Sequence, residues 1–337
     1  MNLVSIVIVN WNGAEVLPEC LESLLRLNYK NIEIIVVDNG STDDSVNIVN
    51  KVCGNRARVV RLEKNIGFAA GVNAGFENSA GKFIATLNND MVVESSWLDQ
   101  PMELLADASV GIVSCRQMNY YDRTKIDGLY HRISKELVLK PFGLGRDFGA
   151  DALFSKPGYV ISANGGSAVL RAETVRALGG YDADFFGYLE ESDFCMRAFL
   201  RGWRCAYAPD SVVYHMDGFT FKKNMAYKYY LFERNQIWFM YKNLPAWDIF
   251  KRLFYILIKE VYIIIIIFCV KAKNPLLYLK ARLDALRGLG RYRDIRRENV
   301  TLFRAKREEF YRLEKCKKSE IHMVKKTNPR LLSEISS

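Results

Sequence analysis

Along the first third of the chain, short runs of consecutive apolar residues alternate with segments whose apolar positions recur every three or four residues. The runs predict strands near residues 3–9, 32–37, 58–62, 83–87 and 110–114, and the spaced segments predict helices near 14–27, 42–53, 69–79 and 95–106. Runs such as Ile6-Val7-Ile8-Val9 and Ile34-Ile35-Val36-Val37 have no polar face, as expected when helices cover both sides of a parallel sheet. The order βαβα therefore predicts an α/β chain with a doubly wound, mainly parallel sheet that receives ligands at the carboxyl ends of its strands. Residues 116–160 lose this periodicity and predict an irregular or antiparallel excursion beside that edge. A second α/β stretch runs from Ser162 through a helix near 189–201 to short strands ending at His215. Helical patterns dominate from 223 onward, and the ending over 304–337 is basic and amphipathic before it frays.

The length of 337 residues, half of them apolar, fits about two domains, expected at 1–220 and 221–337. The net charge of +10 is uneven: residues 1–220 hold 21 Lys and Arg against 27 Asp and Glu, and residues 221–337 hold 27 against 11. A basic tail around a long apolar run points to an anionic membrane surface and away from nucleic acid. Seven widely spaced cysteines and three histidines exclude a disulfide scaffold and a zinc ribbon, and point to a reducing compartment. The first ten residues lack a basic leader and break off at Asn10-Trp11-Asn12-Gly13, so they are read as a first strand and not as a signal peptide.

Five constellations can carry chemistry. Asp38 stands at the tip of the second strand before Ser41, where it can accept hydrogen bonds from a ribose or base, or can belong to an exposed turn. GxGxxG is absent, against an ordinary dinucleotide site. Asn65, Gly67, Phe68, Gly71 and Asn73 open a helix where backbone can approach a diphosphate, although small residues serve helix packing equally well. Asn88-Asn89-Asp90 ends the fourth strand, where oxygen ligands can hold a divalent cation or satisfy a turn. Glu190, Glu191 and Asp193 crowd one helical turn, where like charges raise one another's pKa; one of them can act as general base, or Arg197 can turn the group into a solvated face. His215 ends a strand as a metal ligand or a structural histidine, and Asn164-Gly165-Gly166 is either a tight turn or a backbone approach to sugar or acceptor.

In this order, the motifs resemble inverting, nucleotide-sugar-dependent glycosyltransferases of family 2 with the GT-A type of fold, and among them bacterial rhamnosyltransferase-like members; the resemblance covers about residues 3–220. It implies that Val9, Asn10 and Trp11 pack on the nucleotide base and that Asp38 binds base or ribose. The segment from Asn65 to Asn73, with Asn88 and Asn89, then lies beside the donor, and Asn164, Gly165 and Gly166 beside sugar or acceptor. It further implies that Asp90 and His215 hold Mg²⁺ or Mn²⁺ and that Glu191, in Glu190-Glu191-x-Asp193, is the base. The chain departs from the pattern at Asn88, where an acid is usual, and at Glu191, where Asp is commoner. The segment Glu233-Arg234-Asn235-Gln236-Ile237-Trp238 is not the Gln-x-x-Arg-Trp of processive synthases, so addition of a single sugar is expected.

The implied activity is transfer of a sugar, from a dTDP-rhamnose-like donor, to a hydroxyl of a glycan or lipid-linked acceptor in cell-surface polysaccharide synthesis. Two rivals are weighed. A sugar-phosphate nucleotidyltransferase would need a glycine-rich, Arg-containing loop after the first strand, which is missing; a non-catalytic, membrane-bound partner that binds nucleotide sugars would need neither Glu191 nor His215. The apolar segment at about 249–270 has sixteen apolar residues among the eighteen of 253–270, broken by Lys259 and Glu260. Each mid-span charge costs about 2.5–3.5 kcal/mol on insertion scales, so the helix is expected to lie in the headgroup layer, flanked by Lys251, Arg252, Lys271, Lys273 and Lys280. A buried core helix is the alternative. The expected location is cytoplasmic, on the inner face of the cell membrane, and the sequence is silent on oligomeric state.

Overall fold

The computed structural model describes residues 1–216, 225–269 and 275–315. The expected boundary at 220, the final residue of the apolar segment (Val270), Lys271, Lys273 and the ending over 316–337 lie outside the described residues. The chain begins as expected, with β1 (Val4–Asn10), α1 (Leu17–Leu25), β2 (Ile32–Asp38), α2 (Ser45–Cys53), β3 (Ala57–Arg61), α3 (Phe68–Glu77) and β4 (Phe83–Asn88). β1 pairs in parallel with β2 and β4, and β2 with β3. Alternation along β1 explains its unbroken apolar run. Val4, Ile6 and Ile8 face one core with Leu17, Leu21, Leu24 and Trp97, whereas Val7 and Val9 face a second with Val72, Phe76 and Phe194.

The chain continues through β5 (Met91–Val93), α4 (Asp99–Leu104), β6 (Val110–Asn119), β7 (Ile126–Gly128), β8 (His131–Ile133), β9 (Leu139–Pro141), β10 (Gly158–Val160), β11 (Ser167–Arg171), α5 (Ala172–Leu178), α6 (Glu190–Leu200) and β12 (Arg204–His215). The main sheet has the order β10-β12-β6-β11-β4-β1-β2-β3, and the expectation of a mainly parallel sheet is corrected to a mixed one. β11 runs antiparallel to both β4 and β6. The reason lies in the excursion: β6 ends at the carboxyl edge, β10 then pairs with the amino-terminal part of β12, and residues 161–166 bring the chain back so that Gly166 meets Asn88 at the carboxyl end of β4, from where β11 must run backward. α6 likewise opens near this edge, and β12, parallel to β6, returns to it with His215 as its last residue.

Helices α7 (Met225–Asn243), α8 (Ala246–Phe250), α9 (Leu253–Cys269), α10 (Pro275–Gly288) and α11 (Arg293–Lys315) follow. They share a third core with α6 and the β8–β9 pair, in which Phe185, Leu189, Met196 and Phe199 meet Trp238, Phe239, Phe303 and Phe310.

Candidate active site

Parallel register brings the tips of three strands side by side, because Asn10 stands opposite Asp38 and Val9 opposite Asn88. Asn89 Nδ2 donates to Asn10 Oδ1 at 2.7 Å, and the Asp38 carboxylate accepts from the Ser41 amide at 3.2 Å. Trp11, next in sequence to Asn10, is 43% exposed. Asn39, absent from the sequence-based set, is the hub of the next turn: its Nδ2 donates to Asn65 Oδ1 (3.2 Å) and Gly67 O (3.1 Å), and its Oδ1 accepts from the Ile66 amide (3.0 Å).

Two residues assigned to the donor have packing tasks. A Cβ on Gly71 would stand 2.9 Å from Val9 Cγ1, so its smallness seats α3 on β1. The Asn73 side chain is taken up by Tyr181, whose N–H it accepts (2.8 Å) and to whose carbonyl it donates (2.7 Å). Gly67 is different: its φ of 92° favours glycine, and a Cβ there would lie 2.6 Å from the Phe186 carbonyl and ring. The Phe68 side chain lies next to Gly187, close to the same loop.

The acidic turn separates into three roles. Asp193 is fully buried, accepts from Arg197 Nε (2.7 Å), Lys242 Nζ (2.9 Å) and Asn243 Nδ2 (2.9 Å), and so ties α6 to α7 with both oxygens engaged. Burial alone would raise its pKa, but Lys242 and Arg197 outweigh this and hold it at about 2. Glu190 is pushed well above the usual carboxylate range, first by burial and then by the charge of Glu191, and its Oε2 has no hydrogen-bond partner among the described residues. Glu191, 6% exposed, has its two oxygens in different settings. Oε1 lies 3.1 Å from the donating Ser192 hydroxyl and 3.3 Å from His131 Nδ1. Oε2 faces Gly165, where a Cβ would come within 3.2 Å of it.

The turn Asn164-Gly165-Gly166 joins this carboxylate to the fourth strand. Gly165 lies against the Glu191 carboxyl, a Cβ on Gly166 would meet Met91, and the Gly166 carbonyl accepts from the Asn88 amide at 2.9 Å. Beyond Met91, the Asp90 carbonyl accepts from the Met216 amide (2.9 Å) and Asp90 Oδ1 lies 3.5 Å from His215 Nε2. His215 Nδ1 is 2.8 Å from Asp127 Oδ2. Burial disfavours the imidazolium, yet the Asp127 and Asp90 carboxylates beside it raise its pKa to about 10.

Among the described residues no group of three or more His, Cys, Asp and Glu side chains is disposed to hold a metal. A smaller donor set is present. Asp90 Oδ1 and Asn88 Oδ1 are buried with no hydrogen-bond partner among the described residues, and His215 Nε2 is turned toward the first of them. Carboxylate and amide oxygens without partners, with an imidazole nitrogen turned toward one of them, are donor types that a divalent cation would accept. Asp127 supplies the carboxylate that commonly orients a ligating histidine.

The sequence reading missed Asp127 and His131 because both lie in 116–160, where periodicity fails. One signal was available: His131 is among only three histidines in the chain. Ahead of the acids, Phe186, Tyr188 and Leu189 have φ of 64°, 69° and 71°, a left-handed conformation that costs roughly 1–2 kcal/mol per non-glycine residue.

Residues 5–177 match the family model described as Glycosyl transferase family 2. The glycosyltransferase GlyG of Streptococcus pneumoniae serotype 4 is 34% identical over 135 residues, 38% of this chain and 42% of that protein. WfaP of Escherichia coli, a UDP-Glc:alpha-D-GlcNAc-diphosphoundecaprenol beta-1,3-glucosyltransferase, is 29% identical over 160 residues, 47% of this chain and 53% of that protein. These matches span about half or less of either relative. The solved mannosyltransferase PcManGT of Pyrobaculum calidifontis, in complex with GDP-Man and Mn²⁺, superposes with a TM-score of 0.56 at 16% identity, over 93% of this chain and 87% of that one, a likeness of fold.

Proposed function

The chain belongs to glycosyl transferase family 2, and from that premise we propose that it transfers one sugar, with inversion, from a nucleoside-diphosphate sugar to a hydroxyl of a glycan or lipid-linked acceptor in cell-surface polysaccharide synthesis. The observation that carries this reading is the Gly165-Gly166 turn, which links the Glu191 carboxyl to the strand tip bearing Asn88, Asn89 and Asp90. Glu191 Oε2 takes the proton of the acceptor hydroxyl as the acceptor oxygen bonds to the anomeric carbon, and the bond to the diphosphate breaks on the opposite side. A single displacement inverts the configuration. Asp90 and His215 would hold Mg²⁺ or Mn²⁺, which when bound supplies positive charge for the departing diphosphate. Trp11 and Asp38 take the nucleoside end.

A thermal-shift panel of UDP-, dTDP- and GDP-sugars with and without Mn²⁺ tests the donor side. A ligand at a hundred times its Kd stabilises the native state by about 2.7 kcal/mol. One nucleotide class is expected to raise the melting temperature, more so with Mn²⁺; Asp90→Ala should remove the metal-dependent part and Asp38→Ala most of the whole. The rhamnosyltransferase-like resemblance favours dTDP-rhamnose. Equal shifts with all three nucleotides, or none, count against the reading.

The lipid side of the proposal rests on α8 to α10. No helix among the described residues is long and apolar enough to cross a membrane. Lys259 and Glu260 turn inward, where Glu233 pairs with Lys259 (3.2 Å) and with Arg282 (2.6 Å), and Arg282 pairs with Glu260 (2.9 Å). The outer side of α9 is left apolar, with Phe254, Leu257, Ile258, Val261 and Tyr262 all at least half exposed. Leu279, Leu283 and Leu286 of α10 and Trp247 and Phe250 of α8 are also exposed. Set in a strongly basic segment, this face supports docking on an anionic bilayer at the inner face of the cell membrane. The chain should float with vesicles containing phosphatidylglycerol, and Ile258→Glu with Tyr262→Glu should leave it at the bottom of the gradient. A chain that stays at the bottom without these changes and forms a dimer would assign the face to a second copy.

A further inference from the structure

The members of Glu233-Arg234-Asn235-Gln236-Ile237-Trp238 on α7 reach toward different parts of the molecule. Asn235 is 0% exposed, and its Nδ2 donates toward three carbonyl oxygens, those of Phe185 (2.9 Å), Gly187 (2.8 Å) and Tyr188 (2.8 Å). Arg234 Nη2 adds bonds to the carbonyls of Asp184 (3.1 Å) and Phe185 (2.9 Å). Gln236 reaches the opposite way and brackets the β8–β9 turn, donating to Leu137 O and accepting from the Leu139 amide. Glu233, paired with Lys259 and Arg282, fastens the same stretch to α9 and α10.

The loop held by Arg234 and Asn235 is the left-handed one. Phe186, Tyr188 and Leu189 are neither glycine nor asparagine, so nothing in their own side chains favours φ near +65 to +70°, and the conformation must be imposed from outside. Two functional elements depend on it. Phe186 lies over Gly67, and its carbonyl accepts from the Ala69 amide at 3.2 Å at the start of α3. Leu189 is followed at once by Glu190 and Glu191, and the Leu189 carbonyl accepts from the Asp193 amide at 2.9 Å.

We propose that Arg234 and Asn235 are positioning residues for the transfer: from α7 they clamp the strained loop 184–189, and so set Glu191 against Gly165 and Phe186 over the Gly67 turn. Neither touches the reacting atoms. The kinetic consequence rests on the transferase reading, whereas the clamp is a property of the folded chain and can be measured without any donor.

The test compares backbone-amide exchange and nucleoside-diphosphate release in the full chain and three variants. Asn235→Ala should speed exchange within 183–191 by about tenfold or more while amides of β1, β2 and β4 keep their protection. The rate of release should fall by about tenfold, and Asn235→Ala combined with Tyr188→Gly should recover most of both, because glycine adopts the left-handed conformation unaided. Arg234→Ala should show the same pattern to a smaller degree and carries the test if Asn235→Ala does not fold. Unchanged exchange in 183–191 in the foldable single variants, or a double variant no better than Asn235→Ala, overturns the proposal. Failure of the unaltered chain to release any nucleoside diphosphate would sink the transferase reading instead, with the exchange comparison still deciding the clamp.

Discussion

Glu191→Gln is expected to lower sugar transfer by about 10²- to 10⁴-fold while donor affinity changes little, the signature of a lost general base. Glutamine keeps the shape that fits against Gly165 and can still accept from Ser192 through its carbonyl oxygen, so donor site and loop stay in place. Its amide has no basic lone pair to take the proton. Glu190 is a poor substitute, because it is buried, and burial, the larger cause of its raised pKa, remains when the Glu191 charge is gone. Asp193 cannot either, with both oxygens bound by Arg197, Lys242 and Asn243. Release rates and titration of donor binding check the two halves of this expectation separately. A variant that keeps more than about a tenth of the rate would move the base elsewhere.

Asp193→Ala is expected to destabilise the fold by about 3–5 kcal/mol, since removing one member of a buried ion group leaves charges without compensation. Among the described residues, Lys242 would keep one carboxylate partner, Asp182 at 2.5 Å, and Arg197 the carbonyls of Leu178 and Gly180 but no carboxylate. The pH dependence has a definite sign. The pKa of Asp193 is lower in the folded chain than in the unfolded one, so its stabilising contribution is complete above about pH 4 and is lost as pH falls through about 2. Asp193→Ala should therefore flatten the acid limb of a stability profile from urea unfolding as well as lower it. An unchanged midpoint and limb would mean that α6 and α7 are held together by their apolar contacts alone.

The first half of the fold was readable because β1 to β4 and their helices obey local rules: unbroken apolar strands, amphipathic helices and polar tips. The tip residues Asn10, Asp38 and Asn88 could be named for the same reason, since each ends a recognisable run. The mixed half was hidden because the reversal of β11 depends on which edge the excursion occupies, a long-range fact that leaves no period in the sequence. Asp127 and His131 sit within that excursion and were lost with it. The acids at 190–193 were visible as a cluster, but their division of labour was not: it depends on Lys242 and Asn243, some fifty residues later. Lys259 and Glu260 interrupted an apolar run and implied a helix ill suited to spanning. The structure supplies the physical reason for their presence, partners on α7 and α10 that leave the outward face apolar.

The central claim is that a donor held at the strand tips reacts through Glu191, and the most direct measurement is nucleoside-diphosphate release with proton NMR of the new glycosidic bond. It uses the donor selected by the thermal-shift panel, Mn²⁺, and lipid-linked glycans extracted from the producing cells. The account predicts release that rises when acceptor is added, a product of inverted anomeric configuration, and neither in Glu191→Gln although that variant still binds donor. Donor binding by the unaltered chain without release, or release undiminished in Glu191→Gln, would contradict it.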